Sequence, residues 1–259
     1  MQTVFIGAGN LATQMAKIFH KKGLNIVQIY SRTEKSAREL ALQVGAEHTN
    51  SLSALKRKAD LYICALKDDA LPEVLAQLPD CKGIFVHTAG SVPMDIFENL
   101  FPNFGVFYPL QTFSKNREVD FEKIPILVEA NNAETETFLL EIAKKISRNV
   151  QLVNSEQRSM VHLSAVFACN FVNRMYSLAE EILKKADLPF EILLPLIDET
   201  ARKIHEMPPK KAQTGPAIRY DKTIINKQLH IIDDLLTKEI YEKISKNIYD
   251  GHSKEILGN

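Results

Sequence analysis

Three small residues near the amino terminus have the spacing of a dinucleotide-binding turn. Gly7, Gly9 and Ala12 form a Gly-x-Gly-x-x-Ala pattern that follows the apolar run 4–6 and opens a helical pattern. In such a turn the first glycine permits the sharp change from strand to helix, and the second lets the backbone approach a pyrophosphate. Free N–H groups at the helix start would bind that anion. We expect the pyrophosphate contacts to come from Gly7, Gly9, Asn10 and Leu11.

The residues after the next predicted strand indicate which dinucleotide is bound. The strand 25–30 is followed by Ser31-Arg32-Thr33, without the acidic residue that would bind the ribose 2′-hydroxyl of NAD. A guanidinium between two hydroxyls suits a 2′-phosphate instead. The sequence therefore predicts NADP as the cofactor. The alternative is that Arg32 and Lys35 are a solvated helix start with Thr33 as its N-cap.

Two later strands should bring residues to the other half of the cofactor. In an open α/β sheet, ligands bind at the carboxyl ends of the strands. The predicted strands 60–66 and 84–88 end in Leu66 and in His87-Thr88, so we expect these residues to line the cofactor. His87 has a side chain suited to acid–base work, but a histidine at a strand end also serves as a structural hydrogen-bonding group.

The order of elements predicts the fold that positions these residues. Apolar runs of strand length alternate with amphipathic helices through residue 153, which is typical of an α/β fold with a Rossmann-like, doubly wound and mostly parallel sheet. We assign residues 1–153 to this NADP-binding domain. The predicted strands are 4–6, 25–30, 60–66, 84–88, 104–107, 124–128 and 150–153. The predicted helices are 12–22, 33–44, 69–78 and 133–146, with Asn132 capping the last.

Residues 154–259 have no strand pattern and are predicted to form an all-helical second domain. The run 155–186 is consistent with a single helix of about 30 residues. Helical patterns at 188–206 and 223–246 follow, with breaks at Pro208-Pro209 and Gly215-Pro216. Because no Gly/Ser-rich linker separates the two domains, we expect them to pack together and to leave a cleft for a substrate.

A narrow polar stripe divides the long predicted helix. At 100° per residue, His162, Asn170, Asn173 and Ser177 fall on one side, opposite an apolar face. If the stripe faces the cleft, His162 could protonate an alkoxide while Asn170 holds the substrate oxygen. The alternative is a stripe that faces solvent or hydrogen-bonds to another helix.

A third polar group lies beside the Gly-Pro break. Arg219 is displayed just before Asp221, which is placed to cap the next helix. The guanidinium could bind a substrate carboxylate through two hydrogen bonds, or it could pair with Asp221. The catalytic candidates are therefore His162, Asn170 and Arg219.

Composition limits the possible partners. Lys plus Arg and Asp plus Glu are equal at 32 each, so no net positive field favours nucleic acid. No apolar run approaches the roughly 20 residues that span a bilayer, so we expect no membrane partner and a cytoplasmic location. The scattered residues Cys64, Cys81 and Cys169 form no Cys-x-x-Cys pair and are predicted to be reduced core residues, with no metal site.

Several motifs together resemble a known bacterial family of uncertain function. They are His87-Thr88-Ala89-Gly90, the run Pro-Leu-Gln-Thr-Phe at 109–113, and the segments 162–171 and 214–221. In that family a Rossmann-like NADP-binding domain is joined to a helical domain similar to the C-terminal domain of 6-phosphogluconate dehydrogenase. The resemblance covers nearly the whole chain. It extends more distantly to pyrroline-5-carboxylate reductase, ketopantoate reductase and the β-hydroxyacid dehydrogenases.

The resemblance implies NADP-dependent oxidation or reduction of a small carbonyl, hydroxy or imine metabolite, with a homodimer formed by the helical domain. One departure matters, because the ketopantoate reductases and β-hydroxyacid dehydrogenases carry a catalytic Lys four residues before the helix Asn, where this chain has Val166 before Asn170. Either His162 replaces the lysine, or an imine substrate needs less acid assistance. The remaining alternative is a non-catalytic, NADP-binding regulatory protein.

Overall fold

The computed structural model describes residues 1–256, with side chains to residue 253. Within them an eight-stranded sheet has the order β3-β2-β1-β4-β5-β6-β7-β8. All neighbours pair in parallel except β6 and β7, which are antiparallel. The strands are β1 (Gln2–Ile6), β2 (Asn25–Tyr30), β3 (Glu47–Thr49), β4 (Lys58–Cys64), β5 (Lys82–His87), β6 (Phe104–Pro109), β7 (Ile126–Ala130) and β8 (Val150–Leu152).

The register of the central strands sets where ligands can bind. Ile6 pairs with Tyr30 on one side and with Cys64 on the other, and Cys64 pairs with His87. The carboxyl ends of β2, β1, β4 and β5 therefore lie side by side. This is the edge at which open α/β sheets bind ligands.

The helices of the sheet region begin and end at the residues that local chemistry favours. They are α1 (Asn10–Lys21), α2 (Glu34–Val44), α3 (Leu71–Leu75) and α4 (Ala133–Ile146). Gly45 ends α2 in the left-handed conformation, with φ of 67°. The Asn132 side chain accepts the Thr135 N–H at 2.9 Å, which confirms the predicted cap of α4.

Two elements of this region differ from the sequence-based expectation. β3 was not predicted, because it is short and polar and lacks the alternation of apolar residues that indicates a strand. The helix predicted over 69–78 is instead a 3₁₀ turn at Asp68–Ala70 followed by the short α3. Pro72 stands at the start of α3, where a missing N–H is tolerated.

Apolar layers cover both faces of the sheet. On one face Phe19 of α1 meets Phe5 and Phe107 edge to face, with ring centroids 5.5 and 6.3 Å apart. On the other face Tyr62 stacks on Phe85 at 4.4 Å. Because both faces are covered there, β1, β4 and β6 are buried along most of their length and do not alternate between apolar and polar residues. The carboxyl ends of the central strands are thus supported by packed side chains on both faces of the sheet.

The helical half begins with one long run of helix. It consists of α5 (Ser155–Ala165), a π-helical segment at Val166–Phe171, and α6 (Val172–Lys184). The predicted single helix is therefore interrupted by wider turns, which periodicity at 100° per residue does not reveal. The remaining helices are α7 (Leu194–Glu206), α8 (Pro209–Ala212), α9 (Lys222–Ile231) and α10 (Leu235–Ile256).

By packing, the chain divides into two compact units, Met1–Cys169 and Asn170–Asn259. The predicted boundary at residue 153 follows the change in secondary structure, whereas the first compact unit also includes α5. Position 162 therefore belongs with the sheet. Positions 170 and 219 belong to the second unit.

Two cysteines confirm the core prediction and one does not. Cys64 and Cys81 are buried, and burial raises the pKa of the Cys64 thiol to about 12. Cys169 is exposed. Among the described residues, no helix is long and apolar enough to cross a membrane, and no cluster of His, Cys, Asp and Glu could hold a metal ion.

Candidate active site

The glycine turn has the geometry that a bound pyrophosphate requires. Gly7 has φ of +125°, and its N–H donates to the Tyr30 carbonyl at 2.8 Å. A Cβ at position 7 would lie 2.2 Å from the Ala65 carbonyl oxygen, so only glycine fits. Nothing lies within 4 Å of a Cβ built at Gly9, and no side chain caps the start of α1. The first-turn N–H groups of α1 thus face open space suited to an anion.

The neighbouring predicted contacts lie around this turn. Asn10 is exposed, Leu11 is half-buried, and the Leu66 Cδ2 atom is 3.5 Å from the Cβ built at Gly7. Leu66 therefore borders the turn from the adjacent strand end. These placements are consistent with the predicted cofactor contacts.

The predicted 2′-phosphate group lies directly after β2. The Ser31 N–H donates to the Thr49 carbonyl at 3.2 Å, and the side chains of Arg32 and Thr33 are exposed. Thr33 stands at the N-cap of α2, but its hydroxyl makes no capping hydrogen bond. Within residues 1–253 no ion pair engages Arg32. A guanidinium and a hydroxyl are both available to a phosphate here.

His87 is held in the interior rather than displayed. It is fully buried, and its Nδ1 accepts the Ala89 N–H at 3.2 Å. Burial, with a smaller contribution from the Arg158 charge, lowers the pKa of His87 to about 4. The ring is therefore neutral at physiological pH with its proton on Nε2, and the Pro93 backbone is its polar neighbour. Contacts from His87 and the buried Thr88 to a cofactor would be made by their backbones.

A second histidine, His162, lies beside the carboxyl ends of the strands. His162, on α5, lies so close to Gly90 that a Cβ there would be 2.5 Å from its Nδ1. The same Nδ1 is 2.9 Å from the phenol oxygen of Tyr108, near the end of β6. Burial raises the pKa of Tyr108, with smaller and opposed effects from Arg158 and Asp68. A neutral phenol thus holds one imidazole nitrogen and leaves Nε2 for another partner.

Charged groups surround this pair. The Arg158 guanidinium pairs with the Glu129 carboxylate, and both are buried or nearly so. Asp68 accepts a short hydrogen bond from the Ser91 hydroxyl, one residue beyond Gly90. The helix α5, the end of β6 and the loops that follow β4 and β5 therefore bring an imidazole, a phenol and a carboxylate close together. This set can transfer a proton and orient a polar group.

Comparison with known proteins shows which family the chain belongs to. Residues 2–86 match the family described as "NADP oxidoreductase coenzyme F420-dependent", and residues 124–248 match "Domain of unknown function (DUF2520)". A crystal structure of a candidate NADP oxidoreductase from Bacteroides fragilis is 53% identical, covers 96% of this chain and 98% of its own, and superimposes with a TM-score of 0.93. The chain therefore belongs to the same family of NADP oxidoreductases as the Bacteroides fragilis protein. Its cofactor is NADP, and the resemblance predicted from the motifs is confirmed.

More distant solved structures share the fold of this oxidoreductase. A reductive aminase from Aspergillus terreus in complex with NADPH and ethyl-5-oxohexanoate is 15% identical, with a TM-score of 0.67 over 100% of this chain and 94% of that one. A 1-pyrroline-5-carboxylate reductase from Streptococcus pyogenes is 15% identical, with a TM-score of 0.62 over 96% and 98% of the two chains. None of the curated proteins matches.

The two other catalytic candidates of the oxidoreductase lie in the second unit. Asn170 is exposed within the π-helical segment, a type of distortion that is frequent at functional sites. Arg219 is exposed at the end of a 3₁₀ turn, Pro216–Arg219. Asp221 caps α9 through the Ile224 N–H at 3.1 Å, as predicted. Their roles stay predictions.

Sequence reasoning did not identify four residues of this site. Gly90 lay within a motif that carried the family resemblance and Tyr108 directly preceded another, but neither was singled out as a site residue. Arg158 and Glu129 had no motif at all. A usable signal existed for Arg158, which precedes His162 by four residues and so shares its helix face.

Proposed function

We propose that this oxidoreductase reduces the C=N or C=O bond of a small metabolite, or oxidises the corresponding amine or alcohol, with His162 as the proton donor or acceptor. The observation that supports this is the placement of His162 against Gly90 and Tyr108 at the carboxyl ends of β5 and β6. These ends are where a dinucleotide held by the Gly7 turn would extend its nicotinamide.

The chemistry divides between cofactor and protein. NADPH supplies the hydride when it is bound. His162 in its doubly protonated, cationic form supplies the proton from Nε2 to the nitrogen or oxygen that becomes negative and is left as a neutral ring, and that neutral ring takes the proton back in the reverse direction. Tyr108 holds Nδ1 and, because burial raises its pKa, stays protonated while it orients the ring. His162 thus takes the part that the family's distant relatives give to the lysine replaced here by Val166.

Cofactor binding follows from the residues of the strand ends. Gly7, Gly9, Asn10 and Leu11 would hold the pyrophosphate, and Ser31, Arg32 and Thr33 would hold the 2′-phosphate. Leu66, His87 and Thr88 would border the remainder. Fluorescence titration should show NADPH binding more tightly than NADH, and Arg32→Ala should remove the difference. Equal affinity of the unaltered protein for both would contradict the 2′-phosphate assignment.

Of the two proposed bond types, we favour C=N as the one that is reduced. Solved structures with this fold include proteins named a reductive aminase and a 1-pyrroline-5-carboxylate reductase, and an already cationic iminium needs less acid assistance than a ketone. We place substrate in a cleft between the two domains, with Asn170 holding its polar atom and Arg219 a carboxylate. Both assignments rest on the sequence.

We also propose that the protein is a cytoplasmic homodimer joined through the helical domain. Large apolar side chains are exposed throughout the second unit, including Ile192, Leu196, Ile231, Leu235 and Leu236. Patches of this kind are usually covered by a partner surface. Free cysteines fit a reducing compartment.

The experiment that tests the reaction is a metabolite screen. Cyclic imines, amine and carbonyl pairs, and 2-oxo acids are offered with NADPH, and loss of its absorbance is followed, with NADH as the matched control. We expect turnover with an imine and preference for NADPH. Turnover of 2-oxo acids alone would contradict the imine assignment, and no turnover with any class would contradict the proposed reaction.

A further inference from the structure

A buried ion pair lies one helical turn before His162. Arg158 is 1% exposed and Glu129 is 13% exposed, and the Arg158 Nη1 donates to the Glu129 carboxylate. Burying two charges is unfavourable unless further hydrogen bonds satisfy them. The other hydrogen bonds of Arg158 and Glu129 therefore indicate the role of this buried pair.

The pair joins three segments that meet at the site. The Arg158 Nη2 donates to the Val92 carbonyl at 2.5 Å and to the Ser155 hydroxyl at 3.2 Å. The Glu129 carboxylate, at the end of β7, accepts the Ser155 N–H at 2.9 Å. The Met94 N–H donates to the Ser155 hydroxyl at 3.0 Å. One guanidinium thus connects α5, β7 and the loop that follows β5.

Two of these segments carry the surfaces that confine the His162 ring. Gly90 lies two residues before Val92 on the same loop, and His162 lies four residues after Arg158 on α5. The ring is so close to Gly90 that not even a methyl group would fit between them. A shift of α5 against the loop would therefore alter this contact and the hydrogen bond to Tyr108.

We propose that Arg158, held by Glu129, is a positioning residue that fixes the His162 ring and its tautomer for proton transfer. The pair touches neither substrate nor the reacting atoms in this assignment. It acts by keeping α5 and the Gly90 loop in register, so that Tyr108 always meets Nδ1 and Nε2 is always presented. The catalytic part of this inference rests on the proposed function, whereas the structural part does not.

The guanidinium charge also reaches the phenol. Arg158 lowers the pKa of Tyr108 against the larger rise that burial causes. Removing the charge would therefore change the strength of the hydrogen bond between the Tyr108 phenol and Nδ1 of His162. Position and electrostatics of the histidine are thus affected by the same residue.

The test compares the full-length protein with Arg158→Met, Arg158→Lys and Glu129→Gln. Arg148→Met is the matched control, because Arg148 makes an exposed ion pair with Glu122 at 2.9 Å in the same unit. Circular dichroism checks folding, and NADPH fluorescence checks cofactor binding. Long-range ¹H–¹⁵N spectra report the tautomer of His162, whose signals are assigned by their loss in His162→Gln. Turnover is measured with the substrate that the screen identifies.

We expect the neutral His162 ring to populate one tautomer in the parent protein and in Arg148→Met. Arg158→Met should show a mixture of tautomers, as Tyr108→Phe should. Its kcat should fall on the order of 10²-fold while KM and NADPH binding change little. Added guanidinium ion should restore part of the kcat.

A folded Arg158→Met with the parent His162 spectrum would overturn the inference. If Arg158→Met does not fold, Arg158→Lys decides, because one ammonium cannot reproduce the planar contacts to Glu129 and Val92. A parent-like spectrum and kcat in Arg158→Lys and Glu129→Gln would then overturn it. Full turnover by His162→Gln would instead refute the proposed function, while the spectra still decide whether Arg158 positions the ring.

Discussion

The two compact units of this oxidoreductase bury their apolar side chains to different extents. In Met1–Cys169 the sheet is covered on both faces, and large side chains such as Phe5, Phe85 and Phe107 are fully buried. Among the described residues from Asn170 onward, the buried apolar side chains are Leu178, Ala217, Ile225 and Ile232. A sheet supplies its own second layer through crossover helices, whereas isolated helices must find a partner surface.

One ion pair of each unit shows the same contrast. Arg158 and Glu129 pair in the interior of the first unit, while Arg174 and Glu181 pair at 3.0 Å in the second with both side chains more than half exposed. An interior pair fixes geometry, and an exposed pair is screened by solvent. The Arg158–Glu129 pair therefore fixes the segments it joins, whereas the Arg174–Glu181 pair does not.

The largest effect should distinguish the chemistry of the two units. His162→Ala should lower kcat on the order of 10²–10⁴-fold, because it removes the proposed acid. Arg219→Ala should chiefly raise KM for a substrate with a carboxylate. Steady-state kinetics with the identified substrate measure both. Loss of kcat in Arg219→Ala with none in His162→Ala would reverse the assignment.

Removing one partner of each ion pair should sharpen the structural contrast. Arg158→Met leaves Glu129 uncompensated in the interior and should cost about 3–5 kcal/mol of unfolding free energy. Arg174→Met should cost about 0–1 kcal/mol, because its pair is exposed. Urea unfolding at pH 7 gives both values. Equal costs would mean that Glu129 is solvated in solution.

Acid should weaken the first unit through His87. Its pKa is lowered to about 4 in the folded protein, so the unfolded chain binds the proton first as pH falls. The stabilisation from the neutral ring is complete above about pH 6.5 and is lost as pH falls toward 4, amounting to roughly 3 kcal/mol. Urea unfolding across this range should show His87→Asn with a weaker pH dependence. His205→Asn, at an exposed position of the second unit, is the control and should behave as the parent.

Apolar exposure should matter most in the second unit. Leu235 and Leu42 are each 75% exposed, one on α10 and the other on α2. If α10 lies in a dimer interface, Leu235→Glu should weaken association by about 1.5–3 kcal/mol per buried leucine. Leu42→Glu should leave it unchanged. Sedimentation velocity measures both, and a monomeric parent protein would refute the dimer.

Local chemistry explains why much of the first unit could be predicted. The Gly7 turn, β2 at Asn25–Tyr30 and the Asn132 cap depend on residues adjacent in sequence. β3 was not predicted, because a three-residue polar edge strand forms only through its pairing with β2. The π-helical segment was not predicted, because six residues are too few for its wider turns to change the periodicity of the sequence. Of the site residues, His162 was found from the polar stripe on its own helix. Tyr108, Gly90, Arg158 and Glu129 were not, because their roles depend on partners far along the chain.

The sequence by itself determined the Rossmann-like sheet, the choice of NADP and the position of the Gly7 turn, since each depends on strand periodicity or on a few consecutive residues. It also marked His162 as a candidate. Only the tertiary structure decided that His162 meets Tyr108 and Gly90, that His87 is buried, and that Arg158 and Glu129 join the segments around them. These contacts bring together residues on β5, β6, β7 and α5, and no pattern within one element specifies which side chains will meet across several.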